Sequence, residues 1–339
     1  MSTPSFPIFR LPTEATKFVI QCMEYIDIVG FSIVSSKTKE IVKSLNLEIT
    51  RLNLSTEEIL SIEVEGPSPM LWCFLPGGEN AGPEPIPVYM PARVVAMHDD
   101  DNRRIMAQYK NPGLSIQEWL ANFLYIFSWT EIWYLKFARE TSKFDMSSLM
   151  ETIGTATVNA FYFYDECGIE CVRMALRQFP DTKIVFAYSR NLDDPSRYKD
   201  ILIQNLDGLI LGCRSALTRI GHDDILIINS KEIVVGSGII TDKIINRFLK
   251  HWKEGSNPRM ERAIFLILDR QHHDRNAIFK GLNFHEAPFD QTRHFTHFSG
   301  EILEVVGGYD IRRVDGSVGT VIFEQGNNDV FGLTFYVWG

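Results

Sequence analysis

The sequence predicts an α/β protein: three short N-terminal helices, then a repeat-like domain of strands and helices, then a small C-terminal β cap. Three observations predict it. Apolar residues in the first 45 positions recur at helical spacing, and short β-rich runs recur about every 25 residues between 130 and 268. From 309 onward, apolar and polar residues alternate on either side of an Asp-Gly turn. The 339 residues are 45% hydrophobic and 23% charged, an ordinary globular composition, and enough chain for about two domains.

The N-terminal unit begins at Leu11-Pro12, where proline suits the start of a helix because its missing N–H would have no partner there. Val19, Ile20 and Met23 follow at helical spacing, and Asp27 is read as the N-cap of a second apolar helix from Ile28 to Val34. Ser35-Ser36 restarts the chain into a third helix with Ile41, Val42 and Leu45. Gly30 lies inside the second helix, where glycine costs roughly 0.5–1 kcal/mol against alanine. So small a unit has more apolar surface than it can bury alone, which marks a partner's site. The alternative is that these residues pack on the rest of the chain.

Residues 48–114 read as a β-containing connector. Ile49 with Leu52, and Ile62 with Val64, mark two strands, and the five prolines and three glycines from Pro76 to Pro91 mark a loop. His98-Asp99-Asp100-Asp101 reads as a solvated turn.

Residues 115–268 form the repeat-like α/β domain. Ser115 and Glu118 make a capping box ahead of a helix whose face carries Ile116, Trp119, Leu120, Phe123, Leu124 and Phe127. A strand with Trp133, Leu135 and Phe137 follows. Leu135, Phe161, Phe186, Leu211, Val235 and Leu266 then mark successive strands at spacings of 26, 25, 25, 24 and 31 residues. Helical patterns at 169–179, 196–206 and 241–253 fill most of the gaps. This period is that of leucine-rich repeats, in which each unit buries its face by stacking on a neighbour. The asparagine ladder of such repeats is missing, so the domain is leucine-rich-repeat-like, and an ordinary α/β sheet has the same spacing. Residues 269–339 form the β cap: Tyr309–Val314, the Asp315-Gly316 turn, Val318–Phe323, then alternation through Leu333, Phe335 and Val337.

Charge and motifs narrow the function. With 34 basic and 43 acidic residues the net charge is −9, so the basic footprint of a nucleic-acid binder is absent. No apolar run approaches the roughly 18 residues of a membrane helix, and the first residues lack signal-peptide character. Five scattered cysteines are no disulfide scaffold, so the expectation is a soluble, reduced protein of the cytoplasm, the nucleus or both, with no membrane partner. Gly236-Ser237-Gly238 lacks the third glycine of a dinucleotide fingerprint, and Cys167 and Cys171 lack redox spacing and read as packing thiols. His272, His273, His285, His294 and His297 crowd the C-terminal third without a carboxylate or cysteine set at ligand spacing. No catalytic residues, metal or cofactor are therefore expected, although an enzyme site assembled from distant residues stays open.

Residues Pro7-Ile8-Phe9-Arg10-Leu11-Pro12, the helix through Met23, and Asp27 to Lys37 together resemble an F-box. Phe248-Leu249-Lys250-His251-Trp252 with Gly255-Ser256-Asn257-Pro258-Arg259, and Gly308-Tyr309-Asp310-Ile311-Arg312-Arg313 with Asp315-Gly316, resemble the type 2 F-box-associated domain of the F-box family expanded in nematodes. The resemblance places the F-box at 5–47 and the associated domain at about 115–339. It implies a non-catalytic substrate-recognition subunit of an SCF-type (Skp–cullin–F-box) ubiquitin ligase. The F-box would dock a Skp-type adaptor, and through it a cullin, while the C-terminal domain binds an unidentified protein target. On this resemblance the docking side falls on Pro7, Leu11, Pro12, Val19, Ile20, Met23, Ile28, Phe31 and Ile33. Where many F-boxes have tryptophan, this chain has Lys37-Thr38-Lys39. The alternative is a ligase-independent protein-binding module using a repeat-like surface.

Overall fold

The computed structural model describes residues 8–57, 59–77, 88, 90–100, 103–110, 112–137, 144–164, 167, 169–188, 199–212, 218–268, 274–325 and 330–339. The chain divides into two compact units, 1–159 and 160–339, and both mix helices with a sheet.

In the first unit a short 3-10 turn, Ile8–Arg10, precedes α1 (Thr13–Gln21), α2 (Tyr25–Ser32) and α3 (Ser36–Lys43). The chain then forms β1 (Arg51–Thr56), β2 (Leu60–Glu65), β3 (Met70–Leu75), β4 (Arg93–Asp100) and β5 (Arg103–Lys110). It ends with α4 (Ile116–Ile126), β6 (Glu131–Phe137) and α5 (Met146–Ile153). The strand order is β6-β1-β2-β3-β4-β5. Successive strands from β1 to β5 are antiparallel, and β6 returns parallel to β1. The core is aromatic: Trp72 stacks on Tyr109 at 5.7 Å and meets Trp119 and Phe123 at 5.3 Å each. The capping box is as the sequence implies, with the Glu118 amide donating to Ser115 Oγ (3.2 Å) and the Ser115 amide to Glu118 Oε2 (2.7 Å).

Two expectations change here. His98 is not in a turn; it lies within β4, buried, with Nδ1 2.6 Å from the Pro69 carbonyl. Cross-strand pairing of β4 with β5 up to Asp100 and Arg103 leaves the reversal later than the polar run suggests. The helix cap also shifts: Glu24, not Asp27, precedes α2, and Asp27 falls in its first turn, where a carboxylate equally suits the positive end of the helix dipole. The proline-rich loop lies mostly outside the described residues.

In the second unit β7 (Thr157–Phe163), β8 (Ile184–Ala187), β9 (Gly208–Leu211), β10 (Glu232–Gly236) and β11 (Arg262–Leu268) lie side by side in chain order, all parallel. Between them run α6 (Ile169–Gln178), α7 (Lys199–Leu202), α8 (His222–Ile227) and α9 (Asp242–Lys253). The alternate residues Val185, Ala187, Leu209, Leu211, Ile233 and Val235 are buried. After α10 (Arg275–Phe279) come β12 (His285–Glu286), β13 (Thr292–Thr296), β14 (Ile302–Val306), β15 (Tyr309–Arg312), β16 (Val318–Gln325) and β17 (Val330–Trp338).

The C-terminal strands do not form a separate cap. β17 pairs antiparallel with β11 from Arg262↔Tyr336 to Leu268↔Val330, and β16, β15 and β12 extend the same sheet. Among the described residues, only β13 and β14 make a two-stranded sheet apart from it. Backbone hydrogen bonding dictates this: β11 would otherwise leave a row of unpaired N–H and C=O groups at a sheet edge.

The pieces that carry the F-box-associated resemblance meet in space. Arg313 donates from Nη2 to the carbonyls of Gly255 (2.6 Å) and Ser256 (3.2 Å), just past the end of α9, and its guanidinium lies 5.3 Å from the Trp252 ring centroid. Asn257, with φ +50°, donates to the carbonyls of Ile225 (3.0 Å) and Ile228 (2.9 Å), tying the end of α9 to α8.

Candidate functional site

The N-terminal helices are built by local signals. Pro12 stands at the N-cap of α1 in extended conformation. Thr16 is buried, and its hydroxyl donates toward the carbonyls of Ile8 (3.3 Å) and Leu11 (3.4 Å), tying the 3-10 turn to the helix. Ser35 caps α3, its Oγ accepting from the Thr38 amide at 3.2 Å while the Ser35 amide donates to Thr38 Oγ1 at 2.9 Å. The motif position Lys37-Thr38-Lys39 is thereby explained: Thr38 is the buried half of a reciprocal cap, and Lys37 Nζ lies 4.7 Å from the Phe9 ring centroid.

These helices rest on the remainder of the first unit. α2 packs against α3, α4, β4 and β5. Asn122 Nδ2 donates to the Ser32 hydroxyl at 2.7 Å, and Ser32 Oγ donates to the Val29 carbonyl at 2.6 Å. Tyr125 donates to Glu40 Oε1 at 2.5 Å, with Lys39 and Lys43 on its ring at 4.7 and 3.8 Å. That bond to the Glu40 carboxylate raises the Tyr125 pKa, while burial lowers that of Lys39.

The residues assigned to docking fall into separate environments. Ile20 and Ile28 are buried inside the unit. Leu11, Met23, Phe31 and Ile33 are half-buried, while Pro12 and Val19 are exposed. Pro7 lies outside the described residues. The apolar surface is completed by side chains the sequence pattern did not single out, namely Phe9, Phe18 (68% exposed) and Val34 (71% exposed). Phe9 stacks on Phe31 at 6.2 Å, so one predicted and one unpredicted ring belong to the same patch. In the run Phe18-Val19-Ile20, helical spacing from Thr16 could have turned Ile20 inward and Phe18 outward, had a partner for the inner face been known.

The other candidates resolve into structural roles. Ser237 is buried and donates to the carbonyls of Thr218 (3.1 Å) and Ile220 (2.9 Å). Cys167 is buried with Cys171 half-buried beside it, and their mutual hydrogen bond, then burial, pushes the Cys167 thiol up. His285 is exposed on β12. His294 faces Glu304 across the hairpin at 4.0 Å, whereas His297 lies 3.5 Å from Glu232, so these two do not share a site. His272 and His273 lie outside the described residues. Among the described residues no group of three or more His, Cys, Asp or Glu could hold a metal ion, and no helix is long and apolar enough to cross a membrane.

With this geometry in place, residues 8–50 match the F-box domain model and residues 197–265 match the model described as F-box associated. The chain carries an F-box followed by an F-box-associated domain. The F-box match spans the 3-10 turn and α1 to α3, and the second match runs from the approach to α7 through β10 and α9 into β11. No curated protein and no solved structure matches the chain.

Proposed function

We propose that the protein is the non-catalytic substrate-recognition subunit of an SCF-type ubiquitin ligase. In this reading the F-box docks a Skp-type adaptor, which joins it to a cullin, and the C-terminal domain holds a protein target. The single observation that carries it is the exposed apolar surface of an otherwise well-packed F-box, with Phe9, Phe18, Val19 and Val34 presented to solvent. Apolar side chains gathered at a surface are where association energy concentrates. Leu11, Pro12, Val19, Met23, Phe31 and Ile33 make up the accessible part of the docking side, with Phe9, Phe18 and Val34 added. Ile20 and Ile28 support it from within.

The parallel strands β7 to β11 and their helices serve as a leucine-rich-repeat-like scaffold for the target. Its own contribution is positioning, which raises the target's effective concentration near a charged ubiquitin carrier. The test is co-purification of the full chain with a Skp-type adaptor, comparing wild type with Phe18→Asp and with the double variant Leu11→Ala/Pro12→Ala. Strong loss in both folded variants supports the proposal. Recovery of the adaptor at wild-type levels from both would overturn it, and would leave a ligase-independent binding module.

A further inference from the structure

We infer that the second unit binds a short anionic peptide segment in the pocket between α9 and α10. This deepens the target-recognition reading above, since it names the chemistry of what that unit would hold.

The pocket encloses about 450 Å³, and its cations are Lys243 and Arg247 on α9 and Lys280 at the end of α10. Lys243, Arg247 and Lys250 are spaced i, i+4 and i+7, which puts them on one helix face. Lys250 Nζ reaches the Gly281 turn, 3.3 Å from where a Cβ would stand there. All four cations are exposed, and none has an ion-pair partner among the described residues.

Other cations of this unit are paired. Arg173, Lys231, Lys253, Arg262, Arg293 and Arg313 each face a carboxylate within 4.0 Å. One carboxylate, Asp274, lines the pocket beside these cations, and its Oδ1 accepts from the Asn276 amide, while Asp242 Oδ2 accepts from the Asp274 amide, each at 2.9 Å. The walls are fixed without a ligand. Buried Asn246 donates from Nδ2 to the carbonyls of Ile278 (2.7 Å) and Lys280 (3.0 Å), locking α10 onto α9. A preformed hollow lined by Lys243, Arg247 and Lys280 can take an anion.

The charge balance selects the kind of anion. With a net charge of −9, the rest of the chain repels a long polyanion that would extend beyond the pocket. A short segment with one or two carboxylates or a phosphorylated side chain fits the local charge and avoids that repulsion.

The experiment is fluorescence anisotropy on the full chain with three labelled peptides of one length: glutamate-rich, phosphoserine-containing and neutral. The acidic peptides should bind and the neutral one should not, the two acidic arms showing whether carboxylate or phosphate is preferred. Binding should weaken with added salt. Lys243→Glu/Arg247→Glu should weaken it about tenfold or more, the loss of a charge-assisted contact, with thermal midpoint and adaptor recovery unchanged. Lys280→Glu, on the opposite wall, gives an independent check.

Absence of binding by both acidic peptides, or equal binding by the charge-reversed variants, would overturn the inference. So would binding of inorganic phosphate or a single-stranded oligonucleotide at this pocket as tightly as the peptides. Failure of adaptor recovery in the wild type, with peptide binding intact, would instead count against the ligase reading alone.

Discussion

Gly30, inside the second F-box helix, lies directly against the Tyr109 hydroxyl: a Cβ at this position would overlap Oη. The glycine that is costly in an isolated helix is therefore what allows α2 to seat on β5. The Tyr109 ring is not free to yield, being stacked on Trp72 at 5.7 Å and 5.9 Å from Trp119, and burial pushes its pKa up to about 12.

Gly30→Ala should consequently destabilise the protein by about 1–3 kcal/mol, the usual penalty of overpacking, despite alanine's better helix propensity. Truncating the ring in the double variant Gly30→Ala/Tyr109→Ala should show strong coupling, the second change costing less in the presence of the first. Urea unfolding measures both. A stabilised Gly30→Ala would refute the close contact.

Surface and interior of the F-box should separate on mutation. Ile20→Ala removes a fully buried side chain and should lower stability by about 2–5 kcal/mol, with adaptor binding lost only as the unit loosens. Val34→Asp, at a 71% exposed position, should leave the thermal midpoint nearly unmoved and weaken adaptor recovery. Calorimetry alongside pull-down decides, and a large midpoint drop in Val34→Asp would show that this residue is structural.

Glu232 supplies a pH test. It is buried and held by the Phe298 amide (2.5 Å) and Arg262 (3.4 Å), with burial the dominant influence raising its pKa to about 7. Because the folded state holds this proton more tightly than the unfolded chain, its contribution is present below pH 4.5 and is lost as pH rises toward 7. His297 acts oppositely, since burial and then Arg262 lower its pKa, but it is common to the two proteins compared. Between pH 4.5 and 7 the wild type should therefore lose stability relative to Glu232→Gln as pH rises. Parallel pH profiles from chemical denaturation would contradict the assignment.

Arg313 should be sensitive in a way its charge alone does not explain. It is buried, donates to two carbonyls past the end of α9 and lies over Trp252. Arg313→Ala should cost about 1–3 kcal/mol by leaving acceptors unpaired. Arg313→Lys should recover only part, because an ammonium lacks the planar fork. Full recovery by lysine in thermal melts would mean that charge is sufficient.

Elements whose causes are local are legible in the amino-acid sequence. The Ser115–Glu118 box, the Ser35 cap, the Asp315-Gly316 reversal and the period of the parallel strands each depend on residues within a few positions or on simple alternation, and they stand where the pattern puts them. It also carried the F-box and F-box-associated signatures, because those are strings of residues. Which member of an apolar run faces inward is set by packing between elements. Ile20 is buried and Val19 exposed because α1 meets one neighbour and not another, and hydrophobicity does not distinguish two adjacent aliphatic side chains. Long-range pairing likewise decided that β17 joins β11, and that Arg313 reaches Gly255 across 58 positions of chain. Such contacts are set by the closure of distant segments and leave no periodicity to read. The four cations flanking α10 belong to the same class: Lys280 is far in sequence from Lys243, and only the packing of α10 on α9 makes them one surface.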